Sequence, residues 1–209
     1  MKYLISAFLY LFFSSSVSGQ IVVNDPVFPS EIFHEGSLVL MDGDSLIGNI
    51  KYDLDNDLVI IKQNDDQIRT YSARKILFFE IYDELNESYR TFYSLPYNVQ
   101  PNYKVPIIFE VLHEGKLTLL GREKIVQETI PNPSIYGTAN YYTEMRLMYD
   151  YFFLDSKGNI ERYLLRKKDL FFIMRKRGHE VKRFMKKNKL RHDRKNDLIK
   201  IVEFYNSIT

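Results

Sequence analysis

Residues 37–165 repeat one pattern: a short apolar run, the length of a single strand, closed by a turn rich in Asp, Asn or Gly. Residues 38–41 run into Asp42-Gly43-Asp44. Residues 46–52 alternate, with Leu46, Gly48, Ile50 and Tyr52 on one face and Asn49 and Lys51 on the other. A turn over 53–57 leads to the β-branched run 58–62, and 68–71, 76–82 and 89–93 complete a first group. A Pro-bounded loop over 95–106 precedes a second group. There, 107–112 and 117–126 flank a turn at His113-Glu114-Gly115. Residues 145–154 set Leu147, Tyr149, Tyr151 and Phe153 against Arg146 and Asp150, and Asp155-Ser156-Lys157-Gly158 turns the chain into 160–165. Such spacing favours an antiparallel sheet, either a small SH3-like or Sm-like barrel plus a meander, or a meander throughout.

After Leu165 the period changes. Leu170, Ile173 and Met174 recur at helical spacing, as do Val181, Phe184 and Met185, with Gly178 between the two sets. Asp193 or Asn196 is placed to cap a last helix carrying Leu198, Ile201, Val202, Tyr205 and Ile208. The expected fold is mainly β with C-terminal helices (α+β): a β-rich domain over 37–165, then two or three short basic helices over 166–209.

The first 19 residues read differently from the rest. Lys2 precedes an apolar run of 11 residues, 3–13, and then small polar residues, with Val17 and Gly19 at the positions a signal peptidase accepts. The run is too short for a hydrocarbon core that needs roughly 20 residues. A cleaved signal peptide over 1–19 is therefore expected, with Gln20 as the mature start, 20–36 as an N-terminal extension, and a periplasmic or extracellular destination. With 0 Cys there is no disulfide framework, no thiolate metal site and no lipid-bearing cysteine, so packing must hold the fold.

A net charge of +2 hides an opposition. Residues 20–155 carry 11 Lys and Arg against 21 Asp and Glu, a formal −10, while residues 156–209 carry 17 against 6, a formal +11. Either the basic tail docks on the acidic body, or one half faces a partner of opposite charge.

Motifs for catalysis and cofactors are excluded one by one. Ser72-Ala73-Arg74-Lys75 spells S-x-x-K, but its companion S-D-N and K-T-G motifs are missing and it falls among strands. Asp53, Asp55 and Asp57 imitate a calcium loop, yet Leu58 and Asn64 stand where Gly and Glu are needed, so a solvated turn is the better account. His34, His113, His179 and His192 form no ligand pair, and there is no G-x-S-x-G, phosphate-cradling or dinucleotide-binding motif. No cofactor and no metal is expected. Residues 31–41 and 110–120 share 6 identities in 11 positions, both containing His-Glu-Gly. Duplication and convergence on one turn chemistry both fit, and each copy is expected to place a tight turn at Glu-Gly.

Two features carry a binding expectation. Arg175, Lys176, Arg177, Lys182, Arg183, Lys186 and Lys187 form a dense basic tract suited to an anionic envelope surface; export speaks against nucleic acid. Tyr97, Tyr103, Tyr136, Tyr141 and Tyr142 lie beside Asn and Pro in 95–106 and 129–143, where flat rings and amides could hold a glycan or an extended peptide. Tyrosines folded down over an open barrel end are the alternative.

The segments LMDGDSLIGNIKYD, IIFEVLHEGKLTLL, RKKDLFFIMRKRGHEVKRFMKKNKL and DLIKIVEFYNS resemble uncharacterised secreted proteins of Bacteroidota-type bacteria. The resemblance spans most of the mature chain and implies export and a β-then-helix layout, with no assigned activity or binding residues. The functional expectation is an exported non-enzymatic binding or structural protein of the envelope. Its partner would be an anionic envelope component, a glycan or another envelope protein, with no transmembrane span. The alternative is an exported hydrolase acting on glycan or peptide.

Overall fold

In a computed structural model that describes residues 26–63, 67–131 and 141–209, the alternating segments become ten antiparallel strands of one sheet. These are β1 (His34–Leu40), β2 (Ser45–Asp53), β3 (Leu58–Lys62), β4 (Ile68–Ser72) and β5 (Ile76–Asp83). Then come β6 (Ser88–Gln100), β7 (Tyr103–His113), β8 (Leu117–Pro131), β9 (Tyr141–Asp155) and β10 (Ile160–Tyr163). Three helices follow, α1 (Lys167–Ile173), α2 (Gly178–Lys187) and α3 (Lys195–Ser207).

Their order is β10-β9-β8-β7-β6-β5-β1-β2-β3-β4, so the one departure from a meander is that β5 returns to the free edge of β1. With the 3-10 turn Ala73–Lys75 between β4 and β5, the first five strands have the order of an SH3-like barrel. Inward residues close its core, among them Leu38, Ile50, Val59, Ile61, Phe79 and Ile81, with Phe92 and Ile108 added from β6 and β7.

Because β1 is paired on both sides, its His-Glu-Gly cannot be a turn, which corrects that expectation. Gly36 lies opposite Gly48 of β2 and Ile81 of β5, and a Cβ there would run into the Glu80 carbonyl oxygen. His34 is buried and donates from Nε2 to the Pro29 carbonyl at 2.7 Å. The second His-Glu-Gly does turn, ending β7 at His113. The two segments therefore do different structural work.

The expected loop over 95–106 is also corrected. It is the paired continuation of β6 and β7, turning at Asn102, whose φ is +64°. Pro96 and Pro106 face each other across it. Each lies past the end of its outer neighbour, since β5 pairs with β6 only as far as Tyr93 and β8 with β7 only as far as Glu110. The missing prolyl N–H thus faces a free edge and costs no ladder bond.

Strands β7 and β8 pair at three positions only, then diverge, while β8 and β9 stay paired from Leu117 and Asp155 out to Pro131 and Tyr141. The β2–β3 turn fills the notch between β7 and β8. Asp57 Oδ1 accepts the Ile108 N–H at 2.8 Å, and Arg122 Nη1 donates to that carboxylate and to the Ile108 carbonyl, each at 2.8 Å. Arg122 Nη2 bonds the Leu54 carbonyl as well. The backbone of Ile108, without a strand partner on the β8 side, is satisfied there by side chains. The turn expected at 53–57 is present, but Asp57 is ion-paired and Leu54 buried, so it is not simply solvated.

The helices cover the sheet face of Leu117, Leu119, Tyr151, Phe153 and Tyr163 with Leu170, Met174, Val181, Met185, Leu198, Ile201, Val202 and Tyr205. Apolar burial, not charge, seats them. Asn206 of α3 acts as a strand neighbour to Leu117, accepting its N–H at 3.0 Å and donating to its carbonyl at 2.9 Å. The α1–α2 break is the 3-10 turn Arg175–Arg177, with Gly178 already the first residue of α2. The expected cap of α3 is corrected too: Arg194 holds the N-cap position, Asp193 pairs with Arg191 at 2.6 Å, and Asn196 is inside the first turn. Among the described residues no helix is long and apolar enough to cross a membrane.

Candidate functional site

The turn joining β9 to β10 and the turn Arg175–Arg177 face each other across a cleft of about 940 Å³. The sheet side is shaped by Asp155, whose carboxylate accepts the N–H groups of Lys157 and Asn159 at 2.9 Å each and the Asn159 amide at 3.0 Å. Those bonds hold its pKa below the usual carboxylate value and turn most of its acceptor capacity toward its own loop. Gly158, with φ +82°, completes the turn. Leu117, Phe153, Ile173 and Tyr205 line the cleft with apolar surface, and Lys116, Lys157, Arg175, Lys176 and Arg177 line it with charge. Asp155 and Glu161 are the two acids on its wall. Phe172 stands at this wall 63% exposed, with the Arg175 guanidinium 5.2 Å from its ring centre.

The seven expected contact cations are all exposed. Arg177 pairs with Glu180 at 3.2 Å within its own segment. Val181 and Met185 occupy the buried stripe of α2, which leaves Lys182, Arg183, Lys186 and Lys187 on the solvent side. Arg175, Lys176 and Arg177 enter the cleft, whereas the α2 cations do not line it.

The tyrosines are not gathered into one site. Tyr97 is packed edge-on against Phe109 and Phe152, at 5.8 and 5.5 Å between ring centres, because alternation points it into a third core cluster. Tyr103 is exposed near the tip of the β6–β7 hairpin, and Tyr141 is exposed on the separate β8–β9 ribbon, where Tyr142 pairs with Ile130. Tyr136 lies outside the described residues.

Sequence reasoning missed a buried ionic cluster. Arg90 on β6 bonds Glu110 of β7 through Nε at 2.9 Å and Nη2 at 2.8 Å, Glu123 of β8 at 2.8 Å and Asp83 of β5 at 3.1 Å. It also donates to the Tyr52 hydroxyl at 2.8 Å, and that hydroxyl donates to Glu123. Tyr149 of β9 donates to Glu123 at 3.2 Å, and Lys195 of α3 reaches Tyr149 Oη at 2.9 Å and Glu110 at 3.7 Å. Three carboxylates thus surround two cations. Burial pushes the Tyr52 and Tyr149 phenols well above their ordinary range, and burial lowers the Lys195 ammonium. Arg90 is raised despite its burial, chiefly by its bonds and charge contact with Glu110. The signal was present: Arg90, Glu110 and Glu123 occupy inward positions beside Phe92, Ile108 and Gly121, where alternation calls for apolar side chains.

The cluster lies between the core of the first five strands and the helix-covered core, and neither the cleft nor the 480 Å³ groove beside Phe184 and Phe204 is lined by its members. Every one of its carboxylates is engaged. It is built to lock strands in place. The cleft, by contrast, carries Lys116, Lys157, Arg175 and Lys176, none of which has an ion-pair partner among the described residues, and it is open to a ligand. Among the described residues no group of His, Asp or Glu is arranged to hold a metal ion. Compared with known proteins, the chain matches no family model, no curated protein and no solved structure.

Proposed function

We propose that this chain is an exported, non-enzymatic binding module of the bacterial envelope whose basic helical layer contacts an anionic surface. One observation carries the reading: the helices dock mainly through apolar side chains, so most of their charge is left unspent. Among the described residues, Lys195 is the one cation after Leu165 that pairs with an acid of the sheet; Arg166, Arg177 and Arg191 pair with acids of their own segments. Intramolecular docking of opposite charges therefore does not account for the basic tract. The hydrolase alternative would use paired carboxylates in a cleft. Glu110 and Glu123 are paired, but they are buried and their oxygens are held by Arg90, Tyr52 and Tyr149, which favours the binding reading. Export rests on the signal-like segment 1–19.

The test is sedimentation of the mature chain, Gln20 onward, with vesicles of phosphatidylglycerol and of phosphatidylcholine. Binding to the anionic vesicles alone is expected, falling steeply with added salt as screening sets in. Replacing Lys182, Arg183, Lys186 and Lys187 by Ala should weaken it by about 1 kcal/mol per charge. Equal binding to both vesicle types would overturn the proposal.

A further inference from the structure

We infer that the cleft between the β9–β10 turn and Arg175–Arg177 binds single molecules of an anionic amphiphile, a phosphomonoester head group on an apolar chain. The inference rests on the anionic-surface reading and gives it a ligand. At about 940 Å³ the cleft lies within the size range of small-molecule sites. Its wall carries five cations against two acids, and one of those acids, Asp155, accepts three bonds from its own turn. Lys116, Lys157, Arg175 and Lys176 have no ion-pair partner among the described residues, so charge is available for a dianionic head group.

Between the cations, Leu117, Phe153, Ile173 and Tyr205 add apolar surface. Leu117, Phe153 and Tyr205 belong to the buried core and present their outer sides to the cleft. Phe172 belongs to no core cluster and stays exposed at the wall, although α1 turns its neighbour Leu170 fully inward. A free inorganic anion would leave Phe172 and Ile173 in water. An uncharged apolar ligand would strip water from lysines and arginines without replacing their hydrogen bonds. A molecule with both parts satisfies both.

Calorimetric titration of the mature chain with three probes decides the matter: 1-oleoyl lysophosphatidic acid below its micelle threshold, monoolein, and glycerol 3-phosphate. The lysophosphatidic acid is expected to bind one to one, at least about tenfold tighter than either fragment. Arg175→Ala with Lys176→Ala, and separately Phe172→Ser, should each weaken it about tenfold, while the unfolding temperature stays put because all three side chains are exposed. Equal affinity for monoolein would reduce the cleft to an apolar depression; equal affinity for glycerol 3-phosphate would reduce it to a charge patch. Either result, or no binding, overturns the inference. The α2 variant separates the two ideas: it should lose vesicles and keep the lysophosphatidic acid. A wild-type chain that binds vesicles but not the monomer sinks the cleft and spares the surface. One that binds the monomer but no vesicle does the reverse.

Discussion

Arg90 and Glu110 meet as a two-bonded pair, Nε to Oε1 and Nη2 to Oε2, although the strand residue directly across from Glu110 is Phe92. The pair is diagonal, and that offset lets the same guanidinium reach Asp83 on one side and Glu123 on the other. Four strands are pinned to one register by a single side chain.

Arg90→Met therefore does more than delete contacts. Asp83, Glu110 and Glu123 would remain buried, with Lys195 as their nearest cation. A loss of about 3–5 kcal/mol is expected in urea unfolding at neutral pH. The loss should shrink in acid, where the Asp83 carboxyl, which Arg90 helps to hold low in the wild type, can protonate. A variant within 1 kcal/mol of wild type, by the same order-of-magnitude reasoning, would show the cluster to be dispensable.

Acid should unfold the protein through identifiable groups. Burial alone would raise the Asp83 carboxyl, but bonds from Asn86 and Arg90 outweigh it and hold the pKa low. Asp150 is held low in the same way against burial, by Lys124 and Arg162. A carboxyl with a depressed folded pKa contributes stability that is complete above the unfolded value of about 3.9 and is lost as pH falls through the folded value. Asp83→Asn should thus flatten the fall in urea midpoint below about pH 4, after an initial loss at neutral pH. Parallel curves for wild type and variant would refute this.

Asn206→Ala removes both bonds to the Leu117 backbone without touching the apolar seam. The expected cost is about 1–3 kcal/mol, because the partly buried Leu117 groups lose their partners. Hydrogen exchange at the Leu117 amide should quicken well beyond that of its neighbour Leu120. Unchanged protection at Leu117 would mean the clamp is incidental.

Ending the chain at Leu165 uncovers Leu119, Tyr151 and Phe153 at once. Such a chain is expected to aggregate or to lose its sharp thermal transition, since among the described residues one face of β8 and β9 has no other cover. A monomeric product with a cooperative melt would show that the helices are an appendage.

Much of this architecture was legible in the sequence because period-two alternation is a local signal. Strands such as β2 and β9 announce themselves through Ile50, Tyr52, Tyr151 and Phe153. The long outer pairing of β6 with β7 was hidden by Pro96 and Pro106, whose usual meaning as breakers is reversed when they face a free edge. The roles of His34 and His113 differ because the first His-Glu-Gly is paired inside β1 while the second falls where β7 ends, a fact of topology that eleven similar residues cannot encode. Of the cleft, composition revealed Arg175, Lys176 and Arg177. It could not bring Lys116 and Lys157 to meet them, since that depends on where the helices come to rest on the sheet. The Arg90 cluster was readable position by position as charge where apolar residues belong, but its partners come from five strands and a helix.

A hairpin tip is ordinarily the cheapest place in a protein to lengthen. The turn at Asp42-Gly43-Asp44 fits that rule, being exposed throughout. The turn at 53–57 does not, because Leu54 and Asp57 are spoken for by Arg122 and by the backbone of Ile108. Of two tips that look alike in the sequence, one is free to drift in length over evolutionary time, and the other is held to a fixed count of residues by strands fifty positions away.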